Sequence, residues 1–316
     1  MDDTTIVAVY VVLDDLLRAV GHRSHRLAPV TDAEVLTVAV VAACQFANHH
    51  ERALCVLRGM GYIPRALSVS RFNRRAHALA AQLAFVFDAL AAVFAQGTAF
   101  VVDSLPVPAC RYVRGGRCRK ATGKLHVGHC VAKRERFFGW RLHLLCDVQG
   151  VPVAFDLLPA SLHDLTPIYD LTAHLATGAR VYADKGYNSA DDEAWLDGEW
   201  GIRLIPKRRE NMTPNTREEW AGLRQHRQRI ETVNSQLEAW GVERLHARTA
   251  AGVHLKVLAS LVALAILNAH EQSRLYPYKL PAPLPEVYRL ILRISATAPH
   301  VLIRSPNSGG SGASLS

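Results

Sequence analysis

The run Ala99-Phe100-Val101-Val102-Asp103-Ser104 sets four apolar residues directly before an acidic one. A short apolar run rich in β-branched residues predicts a buried strand, and Pro106 is expected to end it. Asp103 would then stand at the carboxyl end of the strand, where α/β sheets open into a cleft. The run Ala179-Arg180-Val181-Tyr182-Ala183-Asp184 repeats this arrangement. If the two strands are neighbours, two carboxylates meet at one edge of the sheet.

Two carboxylates this close repel each other unless a shared proton or a divalent cation compensates, so the pair predicts a hard metal such as Mg²⁺ or Mn²⁺. A third acid, Glu231, lies in a predicted helix at 216–240. For each acid alone, a surface or helix-capping carboxylate is the commoner role, but three in these contexts favour a joint site. At about 100° per residue, one face of that helix collects polar side chains. They are Arg224, Arg227, Glu231, Asn234 and Glu238.

Around these acids the pattern predicts a mixed-sheet α/β domain. β-rich runs at 139–146 and 151–157, separated by Gln149-Gly150, predict a hairpin. The resulting order of elements is β, β, β, α, β, α, β, α. Its helices are expected at roughly 165–177, 189–200, 216–240 and 251–273.

The first 96 residues show helical periodicity throughout and predict an all-α N-terminal domain. Its helices are expected at 6–20, 32–47, 51–59 and 76–95. Near the centre, Ser68 can cap a further helix whose polar residues suit docking on DNA, although a solvated helix face would have the same composition. Those residues are Arg71, Asn73, Arg74 and Arg75. The predicted organisation is a helical DNA-binding domain at 1–96, a catalytic domain at 97–275 and a Pro-rich segment with a flexible tail at 276–316.

The chain of 316 residues carries 37 Lys and Arg against 28 Asp and Glu, a formal charge of +9 that favours a polyanionic partner. Charge alone does not separate nucleic acid from an acidic membrane surface. Ten cations lie between Arg111 and Arg141, and eight between Arg203 and Arg229, so about half flank the three acids. This clustering favours a phosphodiester backbone. The phosphate-binding residues predicted near the acids are Lys207, Arg208, Arg209 and Arg227.

Six cysteines without paired spacing predict neither a disulfide framework nor a zinc ribbon and fit a reducing cytoplasm. The acidic start differs from a signal peptide, and the apolar stretch Val253 to Leu267 is interrupted by polar residues. We therefore expect a cytoplasmic protein that does not associate with a membrane.

Four strings in order resemble the DDE transposases of bacterial insertion sequences, and within them the group numbered nine-eight-two. The resemblance covers about 68–270. It implies an RNase H-like core whose catalytic acids are Asp103, Asp184 and Glu231, preceded by a helical domain that binds transposon ends. The strings are Val102-Asp103-Ser104-Leu105-Pro106-Val107-Pro108, Ala160-Ser161-Leu162-His163-Asp164, Tyr182-Ala183-Asp184-Lys185-Gly186-Tyr187 and Arg229-Ile230-Glu231-Thr232.

With such acids, two divalent ions per site would support cleavage at an insertion-sequence end and joining of the freed 3′-OH to target DNA. The implied partners are double-stranded DNA, both terminal repeats and target, and a second copy of the chain in a synaptic dimer. An RNase H-like nuclease or resolvase that cuts without joining is the alternative, as is a catalytically silent DNA-binding regulator. Within the second string, His163 and Asp164 could orient a metal ligand or water, or Asp164 could cap a helix.

Overall fold

The computed structural model describes residues 3–63, 67–95, 97–130 and 133–271, all of which belong to one compact unit. The predicted Pro-rich segment at 276–316 lies outside the described residues. The predicted mixed α/β architecture is confirmed, and it is consistent with an RNase H-like core.

Six strands form one mixed sheet in the order β2-β3-β1-β5-β6, with β4 also paired to β3. Strand β3 is antiparallel to β1, β2 and β4, whereas β5 is parallel to both β1 and β6. The predicted hairpin is confirmed as β3 and β4, with Gly150 at φ +85 in its turn. The strands are β1 Ala99–Arg111, β2 Val127–Cys130, β3 Glu135–Asp147, β4 Pro152–Pro159, β5 Arg180–Ala183 and β6 Arg203–Pro206.

Strand β1 corrects two predictions, because it runs on through Pro106 and Pro108 to Arg111. Pro106 does not end the strand, and Asp103 lies within it and not at its carboxyl end. Its pairing with β5 stops at Val102, while its pairing with β3 continues to Arg111. One side of β1 is therefore free of a neighbouring strand beyond Val102. Proline lacks an N–H and is tolerated in a strand where that side needs no ladder hydrogen bond.

The helices match the predicted pattern apart from two differences. The helix expected at 76–95 is divided at Leu79 between α4 and α5, which bend by 56° without a local glycine or proline. The helix expected at 165–177 is reduced to five residues, which begin directly after Pro167. The helices are α1 Asp3–Ala19, α2 Asp32–Gln45, α3 His50–Gly59, α4 Val69–Ala78, α5 Ala80–Phe94, α6 Ile168–Thr172, α7 Ala190–Trp200, α8 Arg217–Ala239 and α9 Ala250–Glu271.

Helix α9 connects the N-terminal helices to the sheet, since it packs against α2, α5 and β4. Within the described ranges, its stretch Ala250–Ala269 is long and apolar enough to cross a membrane, and the bent pair α4–α5 passes the same test if counted as one span. For α9, 78% of that stretch is buried inside the protein, as in a core helix. A buried polar contact fixes its position, because Lys256 Nζ donates to the Asn48 carbonyl at 2.6 Å.

Candidate active site

Two of the predicted acids follow the last paired residues of adjacent parallel strands. Val102 of β1 pairs with Ala183 of β5, and the next residues are Asp103 and Asp184. Ala183 in turn pairs with Pro206 of β6, which Lys207 follows. Because the paired residues of parallel strands lie side by side, these two carboxylates and a lysine come together where β5 and β6 end, although β1 itself continues to Arg111.

Helix α8 brings the third acid to this edge. Thr216 and Glu219 form a capping box that starts the helix, and its apolar side, with Ile230 and Leu237, is buried. The helix approaches β5 closely at Gly222, where an added Cβ would stand 2.4 Å from the Tyr182 ring. Only a residue without a side chain fits there. This close contact sets the distance between α8 and the strand that precedes Asp184.

Arg227 binds two of the acids at once. Its Nε donates to Glu231 Oε1 at 2.8 Å, and its Nη1 donates to Asp184 Oδ1 at 3.1 Å. The hydrogen bond to Glu231 and the nearby negative charges raise the pKa of the guanidinium. Arg227 is about half exposed, as are its two partners. A single cation thus holds the carboxylates of β5 and α8 together.

Asp103 lies in a more enclosed position than the other two acids. Its Oδ2 accepts a hydrogen bond from Asn234 Nδ2 at 2.9 Å, and its Oδ1 accepts one from the Ser104 N–H at 2.7 Å. The pKa of Asp103 is raised to about 6, chiefly by burial and also by the charges of Asp184 and Asp164, against the opposing effects of the Ser104 hydrogen bond and Arg227. Its negative charge therefore calls for a compensating cation.

The three acids share a pocket of about 340 Å³. Across the part of the chain that the structure describes, no three Asp, Glu, His or Cys side chains already form a metal-binding group. The donor set nevertheless fits a hard divalent cation, because carboxylate oxygens are its preferred ligands and Asp103 is half-buried near like charges. With Arg227 on Asp184 and Glu231, a cation must compete with this guanidinium for their oxygens.

Asp164 lies beside the turn that follows Asp184. A Cβ added to Gly186 would stand 2.6 Å from Asp164 Oδ2, and the other oxygen is 3.9 Å from His143 Nδ1. Burial lowers the pKa of His143 to about 4, so the ring is neutral near pH 7. The N-cap of α6 is Pro167, so Asp164 does not cap that helix. Its other predicted role, orientation of a group at the acidic site, stays a prediction.

The cations of the predicted phosphate-binding loop differ in whether they are bound to other residues of the protein. Arg208 forms a bidentate ion pair with Glu193, with Nη1 2.7 Å from Oε1 and Nη2 2.6 Å from Oε2. This pair fixes the loop to α7. Lys207 lines the acidic pocket with its Nζ 5.9 Å from the ring centroid of Trp220. Arg209 is exposed and has a long contact of 3.5 Å to the Lys185 carbonyl.

The predicted DNA-docking helix is α4, and Ser68 caps it by accepting a hydrogen bond from the Arg71 N–H at 3.3 Å. Arg71 and Arg74 are exposed on it. Asn73 Oδ1 contacts His50 Nδ1 at 3.1 Å, within the protein. Arg75 donates to the Val30 carbonyl and to Asp32, so its guanidinium ties α4 to the start of α2.

Two contributors at the site were not identified from the sequence. Trp220 is 39% exposed and lines the acidic pocket, although its spacing in the sequence is typical of packing residues. His143 of β3 lies opposite Ser104 of β1, and only the register of the sheet brings these two residues together. The alternation of Arg141, His143 and Leu145 along a strand was the available signal for its orientation.

Comparison with protein families gives a match to the model described as Transposase DDE domain over residues 95–266, more than half of the chain. The matched range includes all six strands and the three acids. No curated protein and no solved structure gives a significant match.

Proposed function

Since this chain belongs to the DDE transposase family, we propose that it cleaves the ends of an insertion sequence and joins the freed 3′-OH to target DNA. The observation that carries the proposal is the in-register placement of Asp103 and Asp184. Glu231 is tied to the same edge through Arg227. Acids from two strands and a helix thereby face one pocket.

In this proposal Asp103, Asp184 and Glu231 are the catalytic residues and the metal ligands. Two Mg²⁺ or Mn²⁺ ions, when bound, would supply activation of the attacking oxygen and stabilisation of the leaving oxygen. The protein's own contribution begins with Asn234 and the Ser104 N–H, which hold both oxygens of Asp103 in place. Arg227 binds Asp184 and Glu231 at once and so offsets the repulsion between their charges.

We propose that DNA phosphates are bound near the acids by Lys207, Arg209 and Arg227, and at α4 by Arg71 and Arg74. The exposure of these residues, or their place in the acidic pocket, supports this. Arg208, Arg75 and Asn73 hold internal contacts and are assigned to positioning those elements. The N-terminal helices would then form the end-binding domain.

The finer assignments also belong to this proposal. The four sequence strings support membership of the insertion-sequence group numbered nine-eight-two. A homodimer is proposed because two transposon ends must be paired, and a location at the nucleoid follows from a DNA substrate.

The test incubates the full chain with supercoiled plasmid, DNA carrying the element's ends, and Mg²⁺. Joined products support transposition, nicks alone reduce the protein to a nuclease, and binding without either leaves a regulator. Asp184→Ala should abolish cleavage and joining while it retains most DNA affinity, because it removes a carboxylate and no cation. Wild-type joining by that variant would overturn the assignment of the acids.

A further inference from the structure

A second and larger groove lies beyond the acidic pocket, and we call it the basic groove. Its walls are the distal part of β1, the turn Tyr112–Arg117, the start of β3 and the segment from Glu243 to Ala247 after α8. Its volume is about 1620 Å³, against about 340 Å³ for the acidic pocket. A groove of this size and openness suits an extended ligand and not a small molecule.

The basic groove has a strong excess of positive charge. Its acids are Glu135 and Glu243, and Glu243 forms an ion pair with Lys133. An adjoining hollow adds three more arginines and no acid. The cations that line the groove itself are Arg111, Arg114, Lys120, Lys133, Arg136 and Arg244.

Most of these cations have no internal partner. Among the described residues, only Lys133 of the six forms an ion pair, and Arg136 lies over the Tyr112 ring at 5.8 Å from its centroid. Arginines that hold the fold together, such as Arg75 and Arg208, instead have well-formed carboxylate partners. Uncompensated cations on facing walls repel one another, so this arrangement is stabilised by a polyanion between them.

The groove is connected to the acidic pocket through two shared elements. Strand β1 carries Asp103 and, eight residues later, Arg111 at the groove, a distance of about 26 Å at ~3.3 Å per residue. Helix α8 carries Glu231 and, two turns later, Glu238, which contacts Lys133 at the groove. The span along β1 corresponds to about 8 base pairs of duplex at ~3.4 Å each.

We propose that the basic groove binds the phosphate backbone of duplex DNA. At a rise of ~3.4 Å per base pair, the phosphates bound there would lie about 8 base pairs from the phosphate held at the acids. This inference rests on the proposed function, because it takes DNA to lie in the acidic pocket. The exposed Tyr112 and Val113 at the groove wall, 43% and 86% accessible, would contact the sugars of the same duplex. The groove acts as a second, sequence-independent anchor that limits rotation of the DNA over the acids.

The test measures binding of the full chain to a fluorescent 30-base-pair duplex of arbitrary sequence over a range of salt concentrations. The double variant Arg114→Gln, Arg244→Gln removes one exposed cation from each wall. For the double variant, the slope of the logarithm of the DNA-binding constant against the logarithm of the salt concentration should be shallower by about 1.8. For Arg114→Gln alone it should be shallower by about 0.9, since each phosphate contact contributes about 0.9 to this slope. The matched control, Arg23→Gln with Arg217→Gln, removes the same charge from exposed positions outside the groove.

A second readout locates the DNA directly. A photo-crosslinking amino acid at Val113 should attach to the duplex, whereas the same residue at the exposed Glu199 on α7, outside the groove and the N-terminal helices, should not. A wild-type slope in the groove variant, an equal loss in the control, or no cross-link at Val113 would overturn the inference. Mg²⁺-dependent nicking of plasmid is scored separately. If the groove variant has the shallower slope but the wild-type protein never nicks DNA, the result would support the groove and reject the proposed function.

Discussion

The side-chain amide of Asn234 donates a hydrogen bond to the carboxylate of Asp103, with Nδ2 2.9 Å from Oδ2. The bond joins α8 to β1 at Asp103. The pKa of this carboxyl group is raised to about 6, chiefly by burial. Asn234 places a neutral hydrogen-bond donor beside the Asp103 carboxylate. An acid at position 234 would instead repel that carboxylate.

Asn234→Asp should lower DNA cleavage by about tenfold or more, a barrier change of about 1.4 kcal/mol. The new carboxylate removes the donor and places a like charge against the half-buried Asp103. The matched control is Gln228→Glu, which adds the same charge to an exposed position of α8. Strand cleavage measured on labelled DNA, with far-UV circular dichroism to check folding, compares the two. Equal rates for both variants would show that the contact does not matter.

Removal of Arg227 should strengthen metal binding by the DNA-free protein. Arg227→Gln removes the guanidinium that binds Asp184 and Glu231, so that Mn²⁺ no longer competes with an internal cation. Because these groups are about half exposed, we expect an increase in affinity of only several-fold. Calorimetric titration with Mn²⁺ measures it.

Arg229→Gln is the control for the Mn²⁺ titration, since it removes one charge from another side of α8 and should change affinity less. The same or weaker affinity in Arg227→Gln would contradict competition between guanidinium and metal.

Gly222→Ala should destabilise the protein by about 1–3 kcal/mol, as overpacking of a well-filled core does. The added methyl group would meet the Tyr182 ring at 2.4 Å and force α8, with Glu231, away from β5. Gly198→Ala in α7 meets nothing within 4 Å and should stabilise by about 0.5–1 kcal/mol. Urea denaturation measures both. A neutral Gly222→Ala would mean that Tyr182 can move aside.

The free energy of unfolding should rise with pH between about 8 and 10.5 through Lys256. Burial lowers the pKa of this lysine to about 8 in the folded protein, so the unfolded chain holds its proton over that range while the folded chain releases it. Lys256→Met should remove this part of the pH dependence, whereas exposed Lys124→Met should retain it. Denaturant titrations at pH 8 and 10 give the comparison. An identical rise in Lys256→Met would contradict the assignment.

Local sequence predicted the strands and helices that carry the acids. Four apolar residues before Asp103 predict a strand at that position, and the polar face of α8 follows from a repeat of 3.6 residues. The path of β1 through Pro106 could not be predicted, since tolerance for proline depends on β5 ending its pairing at Val102. The bend at Leu79 likewise has no local signal.

Composition and spacing determined by themselves that the chain has acids directly after apolar strand-forming runs, a basic surface and helical N-terminal residues, because these are properties of single segments. Only the tertiary structure decided which cations face solvent and which are internal. Arg208 and Arg209 are adjacent in sequence, yet Glu193 of α7 engages the first and not the second. The register of β1 with β5 likewise aligned Asp103 with Asp184, because side chains distant in sequence meet only when strands pair.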